Sequence, residues 1–143
     1  MLKDLADGKS IALVSDAGTP LISDPGFRLV AAAHANDIRV VPVAGPSAVA
    51  AALSAAGLPT DRYCFEGFLP AKQKARRDRL SALGTETRSI DFYESVHRVR
   101  DSLADMVDAF GAERAAFVGR ELTKMHEQCV QASLTELLRQ VDE

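Results

Sequence analysis

Twice in the first half of the chain, a short apolar, β-branched run ends in a loop of Gly, Pro, Ser and Thr and then passes into a helical segment. The runs are SIALVS (Ser10–Ser15), followed by DAGTPLISDPG, and IRVVPV (Ile38–Val43), followed by AGPSA. Strand-like runs alternating with helices predict a mainly parallel sheet, because a parallel neighbour needs a long crossover and the helix supplies it. Asp24 as N-cap and Pro25 at the first helical position predict the intervening helix, with Phe27, Val30 and Ala33 on its inner stripe. Pro46 and Gly57 bracket the next helix, whose small apolar residues predict burial.

Turn residues cluster in GLPTDRYC, Gly57–Cys64, and the alternation restarts behind them, which predicts two parts, 1–60 and 61–143. The second part reads as strands YCFEGF and RSIDFYE, then the helix SVHRVRDSLADMVDAFG. Ser95 is the expected N-cap of that helix, Val99, Leu103, Met106, Val107 and Phe110 its apolar stripe, and Gly111 its stop. A strand RAAFVGREL, an extended piece near EQCVQA and a helix from about Ser133 complete it. The predicted fold class is therefore α/β, two αβα subdomains with mainly parallel sheets. The first is incomplete, because its two strands are fewer than the roughly four to six of an ordinary sheet. Either a partner supplies the remainder or the chain is a piece of a longer protein.

With 47% hydrophobic residues, 143 residues suffice for a core, and no apolar run reaches the span of a membrane helix. A net charge of -3 argues against wholesale nucleic-acid binding but leaves room for a local basic patch. Cys64 and Cys129 form no CxxC and no metal-ligand spacing, so no metal is expected. Both are expected to be buried small apolar residues in a reducing cytoplasm.

In open α/β sheets, ligands sit outside the carboxyl ends of the strands, where both Gly-Pro loops fall. Gly18 permits close backbone approach, Asp16 and Thr19 can bond a polar ligand, and Pro20 restricts the path. An ordinary turn-rich connection fits the same residues. Neither loop is a dinucleotide or triphosphate fingerprint. Farther on, AKQKARRDR concentrates Lys72, Lys74, Arg76, Arg77 and Arg79, which suits either a solvated helix face or phosphate contacts. On a regular helix, Lys72, Arg76 and Arg79 would share a stripe with Leu83, so the first part is predicted to be loop. FYESVHR and RELTKMHE supply Glu94, His97 and Glu121, three candidates for a base or orienting acceptor, and spacing does not select among them. An ion-pair network at the strand ends accounts for part of the same set.

VSDAGTPLISDPG, VVPVAGPSAVAAALSAAGLP, FEGFLPAKQKARR, FYESVHR and RELTKMHE, in this order, resemble the tetrapyrrole-methylase superfamily. Within it they are similar to the group that methylates a ribose 2′-hydroxyl of a cytidine in small-subunit ribosomal RNA. The resemblance implies S-adenosylmethionine as cofactor, bound between two αβα domains, and a homodimer acting on that RNA or on the assembled small subunit. By position, Asp16, Ala17, Gly18, Thr19 and Pro20, with Pro46, Ser47 and Ala48, would line the cofactor site from one side, and Tyr93 and Leu122 from the other. Lys72, Lys74, Arg76, Arg77 and Arg98 would contact RNA. Two other readings are a methylase of a small tetrapyrrole, which the basic run disfavours, and a truncated RNA-binding or dimerisation remnant. The family's TPIGNL-like and EDTR-like motifs would precede Met1, and a further strand would follow Glu143.

Overall fold

The computed structural model describes residues 1–142. Its elements in order are α1 (Leu2–Ala6), α2 (Phe27–Ala35), α3 (Ala48–Ala55), β1 (Tyr63–Phe68), α4 (Gln73–Ala82), β2 (Ser89–Tyr93), α5 (Val99–Phe110), β3 (Ala115–Arg120), β4 (Gln128–Ser133) and α6 (Leu134–Asp142). They divide into two compact units, Met1–Ser47 and Ala48–Glu143.

In the first unit, α1 packs against α2. The latter starts later than Asp24 and Pro25 predict. Gly26 is its N-cap, and the Gly26 carbonyl accepts the N–H groups of Leu29 at 2.9 Å and Val30 at 3.1 Å. A φ of 133° at Gly26 is one that side-chain-bearing residues rarely adopt, so the helix cannot extend back through it. The expected inner stripe also splits: Ala33 is buried, whereas Phe27 is 72% exposed. Residues 10–15 and 38–43, expected as strands, carry no ladder among the described residues, and Val14, Val41 and Val43 stand exposed. A run of β-branched residues becomes a strand only when a neighbour takes up its N–H and C=O groups.

In the second unit, β1 and β2 pair in parallel with α4 as their crossover, and a bulge at Glu66 shifts the register between Phe65 and Gly67. α3 buries Val49 but leaves much of its small-residue surface open, contrary to the expected burial. β3 and β4 form an antiparallel hairpin, because the connection 121–127 is too short for a crossover. Leu103 of α5 meets Leu134 and Leu137 of α6 in the core, with Met106, Val107 and Phe110 packed around them. Burying each leucine stabilises the unit by roughly 1.5–3 kcal/mol. Gly111, at a φ of 92°, ends α5 as read from the sequence. Its start differs. Ser95 is not the N-cap; its carbonyl accepts the N–H groups of Arg98 and Val99, so a separate turn precedes the helix, which Arg98 caps. Cys64 is half-buried and Cys129 exposed, because Cys129 lies on the face of β4 opposite the inward Val130 and Ala132. Among the described residues, no helix is long and apolar enough to cross a membrane.

Candidate functional site

The opening loop is built by local hydrogen bonds that short polar side chains make to nearby backbone. Ser15 donates its hydroxyl to the Ala17 carbonyl at 2.8 Å and accepts the Ala17 N–H at 3.4 Å. Asp16 and Gly18 are exposed, and Pro20 is half-buried. Thr19 donates its hydroxyl to the Pro46 carbonyl at 2.8 Å, which ties the two Gly-Pro loops of the first unit together. A Cβ on Gly18 would meet only the Pro46 oxygen at 4.0 Å, and one on Gly45 only the Thr19 hydroxyl at 3.9 Å. Both glycines therefore leave room for a ligand against bare backbone. Leu21 and Ser23 have φ values of 74° and 55°, left-handed conformations that cost about 1–3 kcal/mol each and tend to gather at functional loops. Ser47 closes the first unit and Ala48 opens α3 in the second.

At the carboxyl end of β2, Tyr93 packs edge-on against Phe65 and Phe68, with ring centroids 4.9 and 5.5 Å away. Burial, then the charge of Asp91, raises its phenol above the ordinary tyrosine value, and a backbone hydrogen bond from Val49 acts the other way. Glu94 is the hub of the next turn. Its Oε1 accepts the Ser95 N–H at 2.8 Å and Arg98 Nη2 at 2.6 Å, and its Oε2 accepts the Ser102 hydroxyl at 2.7 Å. Arg98 also donates to the Leu69 carbonyl at 3.2 Å, so its guanidinium joins the ends of β1 and β2. His97 lies exposed in this turn.

The basic run departs most from expectation. It is helical from Gln73, with Lys72 as N-cap, and of the stripe that predicts a loop Arg76 and Leu83 point inward together with Leu80, whereas Lys72 and Arg79 are exposed. Arg76 is tolerated there because its Nε donates to Asp105 Oδ2 at 2.6 Å, with the two side chains 4% and 1% exposed. Arg77 donates to the other Asp105 oxygen at 2.6 Å and is half-exposed. Burial alone would raise the Asp105 carboxyl, but the bonds from Arg77 and Arg76 overturn this and hold it below its ordinary value. Arg79 pairs with Glu66 at the bulge, and Lys74 with Asp78 at 3.6 Å on the open face. Arg76 is thus an interior residue; Lys72, Lys74 and part of Arg77 face solvent.

Glu121 and Leu122 fall in the β3–β4 connection. Glu121 (φ 50°) and Thr123 (φ 64°) are left-handed. The loop is held by the Thr123 N–H donating to Glu127 at 2.6 Å and by a Lys124–Glu121 pair at 3.2 Å. Leu122 folds back on Gly119, where an added Cβ would lie 3.0 Å from its Cδ2.

Asp91, Ser102 and Asp105 are not singled out by the sequence pattern. Asp91 interrupts an apolar strand, its Oδ2 is buried without a partner, and burial pushes its carboxyl up to about 6. For Ser102 and Asp105 a signal exists: Arg98, Ser102, Asp105 and Ala109 recur at helical spacing beside the apolar stripe of α5. Among the described residues, no three His, Cys, Asp or Glu side chains gather as a metal site.

Residues 1–138 match the family model for tetrapyrrole (corrin/porphyrin) methylases. The chain's relatives include proteins named ribosomal RNA small subunit methyltransferase I. The one from Xylella fastidiosa strain Temecula1 is 58% identical over 137 residues, 96% of this chain and 50% of the relative. That from Escherichia coli O157:H7 is 55% identical over 143 residues, 100% of this chain and 50% of the relative. That from Pseudomonas aeruginosa is 59% identical over 133 residues, 93% and 47% respectively. The chain spans about half the length of these relatives.

Proposed function

Because the chain belongs to the tetrapyrrole (corrin/porphyrin) methylase family, we propose that it is part of an S-adenosylmethionine-dependent methyltransferase whose acceptor is a cytidine ribose 2′-hydroxyl in small-subunit ribosomal RNA. The observation that carries the cofactor reading is the Thr19–Pro46 bond, which sets two glycine-bearing loops side by side with open backbone. The RNA reading is supported by the name borne by relatives more than half identical across the chain.

The residues proposed to hold the cofactor are Asp16 to Pro20, Pro46 and Ser47 in the first unit and Ala48, Tyr93 and Leu122 in the second. When bound, the cofactor supplies an electrophilic methyl group on a sulfonium. Asp16, with a carboxylate that no described residue engages, suits a hydroxyl or a positive charge. Thr19 keeps the loop in place, and the edge-on contacts with Phe65 and Phe68 hold the Tyr93 ring. Lys72, Lys74 and Arg77 form the proposed phosphate-contacting surface; Arg76 and Arg98 are committed to internal partners and leave that set. Positioning of the acceptor oxygen in line with the methyl group supplies most of the catalysis such a site needs. A homodimer working in the cytoplasm completes the reading.

Calorimetric titration with S-adenosylmethionine tests it. Asp16→Ala is expected to weaken binding at least tenfold while circular dichroism stays unchanged. Unaltered affinity removes the opening loop from the site. Labelled methyl incorporation into small subunits lacking the modification, compared with incorporation into a small tetrapyrrole, separates the RNA reading from the small-molecule one.

A further inference from the structure

Resting on the methyl-transfer reading above, the geometry points to His97 as the group that takes the proton of the acceptor hydroxyl, with Glu94 as the residue that positions it. Methylating a hydroxyl oxygen releases a proton, and a neutral hydroxyl is a weak nucleophile, so an acceptor beside it lowers the barrier.

Three side chains compete for this role, and their bonding separates them. Glu94 has both oxygens occupied, by the Ser95 N–H, Arg98 and Ser102, and its side chain is 11% exposed. Taking a proton would break the bonds that hold the end of β2 to α5. Glu121 shares its charge with Lys124 on an exposed hairpin loop. His97 is exposed, and no described residue bonds its imidazole. Imidazole is also the side chain type that gains and loses a proton near neutral pH.

The backbone around His97 is fixed although the ring is free. The Ser95 carbonyl accepts the N–H groups of Arg98 and Val99, both at 3.0 Å. Glu94 holds the Ser95 N–H at 2.8 Å, and Arg98 reaches the Leu69 carbonyl at 3.2 Å. The braced turn fixes where the His97 backbone lies, beyond the carboxyl end of a parallel strand where ligands of such sheets sit, and leaves the ring open to bond one. In the step, the ribose O–H proton moves to a ring nitrogen of His97 as the oxygen–methyl bond forms and the methyl–sulfur bond breaks. The positive charge that was on sulfur ends on the imidazolium, and a neutral thioether remains.

Two measurements test this. In the 143-residue chain, the His97 Cε1–H resonance, assigned with His97→Gln, is expected to shift when a cytidine-containing small-subunit RNA hairpin and S-adenosylhomocysteine are added together. In Glu94→Gln it is expected to broaden or split before any addition. In the full-length protein containing this chain, turnover is expected to rise with pH, as proton removal by a base requires. His97→Gln should lower turnover about 100-fold and abolish that rise, with cofactor affinity within twofold. Glu94→Gln should lower turnover and keep the rise. A His97 resonance unmoved by the ligands, or a His97→Gln protein that retains the pH limb, overturns the assignment. Failure of the unaltered protein to bind S-adenosylmethionine overturns the methyltransferase reading itself, and this assignment with it.

Discussion

Arg76 of α4 and Asp105 of α5 form an ion pair at 2.6 Å with almost no exposure of either side chain. Such a pair is costly to bury and costlier to break, because removing one partner strands the other charge in a low-dielectric interior. Asp105→Ala is therefore expected to destabilise the second unit by about 3–5 kcal/mol. Replacing both partners with leucine should recover most of that stability. Urea midpoints of the three proteins check this; equal midpoints for the wild type and Asp105→Ala would show that the pair carries no stability.

Asp91 imposes a pH dependence of the opposite sense to an ordinary paired carboxylate. Its folded value, about 6, lies above the ordinary aspartate value of 3.8, so between these values the folded state holds more proton than the unfolded one. Stability therefore falls as pH rises through this window. The full shift would correspond to roughly 3 kcal/mol, and partial solvent access reduces the expected change to about 1–2 kcal/mol. Asp91→Asn cannot titrate, so its stability relative to wild type should grow from about pH 4 to about pH 7. A constant difference across that range would contradict the assignment.

Two glycines should respond differently to the same substitution. At Gly57, with a φ of 62° and open space around it, alanine is expected to cost about 1 kcal/mol. At Gly26, with a φ of 133°, the backbone itself resists, and an added Cβ would lie 2.8 Å from Leu13 Cδ2 and 2.9 Å from Leu21 Cδ1. The two leucine methyls can move aside; the dihedral cannot, and Gly26→Ala is expected to cost about 2–3 kcal/mol. Equal destabilisation of the two variants in chemical denaturation would mean that the helix start is not constrained as described.

Lys72 and Lys74 stand exposed at the start of α4. If they meet phosphates, Lys72→Ala with Lys74→Ala should flatten the salt dependence of RNA binding by roughly 0.7–0.9 in log–log slope for each phosphate no longer neutralised. Binding measured between low and moderate salt reads this directly, and an unchanged slope returns the pair to plain solvated surface.

What the amino-acid order makes legible is whatever is local or periodic. The stripe of α5, its stop at Gly111, the β1 and β2 runs and the late extended piece all appear where the pattern puts them. The basic run is more instructive. The stripe through Arg76 and Leu83 is real, but a charge on that stripe does not force a loop, since the compensating Asp105 lies 29 residues away in sequence. Pairwise compensation at that distance leaves no periodic mark. Ser10–Ser15 and Ile38–Val43 show the converse, as strand propensity depends on a neighbour that composition does not supply. In the candidate site, the two loops are legible as glycine- and proline-rich turns. The hydrogen bond between Thr19 and Pro46 is not, nor is the unpartnered oxygen of Asp91 inside an otherwise apolar strand.

α5 has two unlike interiors on adjoining sides, ionic toward α4 and hydrocarbon toward α6 and the hairpin. Urea acts mainly on the second side, where it solvates apolar groups, whereas salt barely reaches the first, because a buried pair is screened far less than an exposed one. Neither half can loosen without exposing the same helix, so its central amides, around Leu103 to Met106, are expected to exchange with solvent only when the whole unit opens. A single helix thereby couples two chemically independent halves into one cooperative unfolding event.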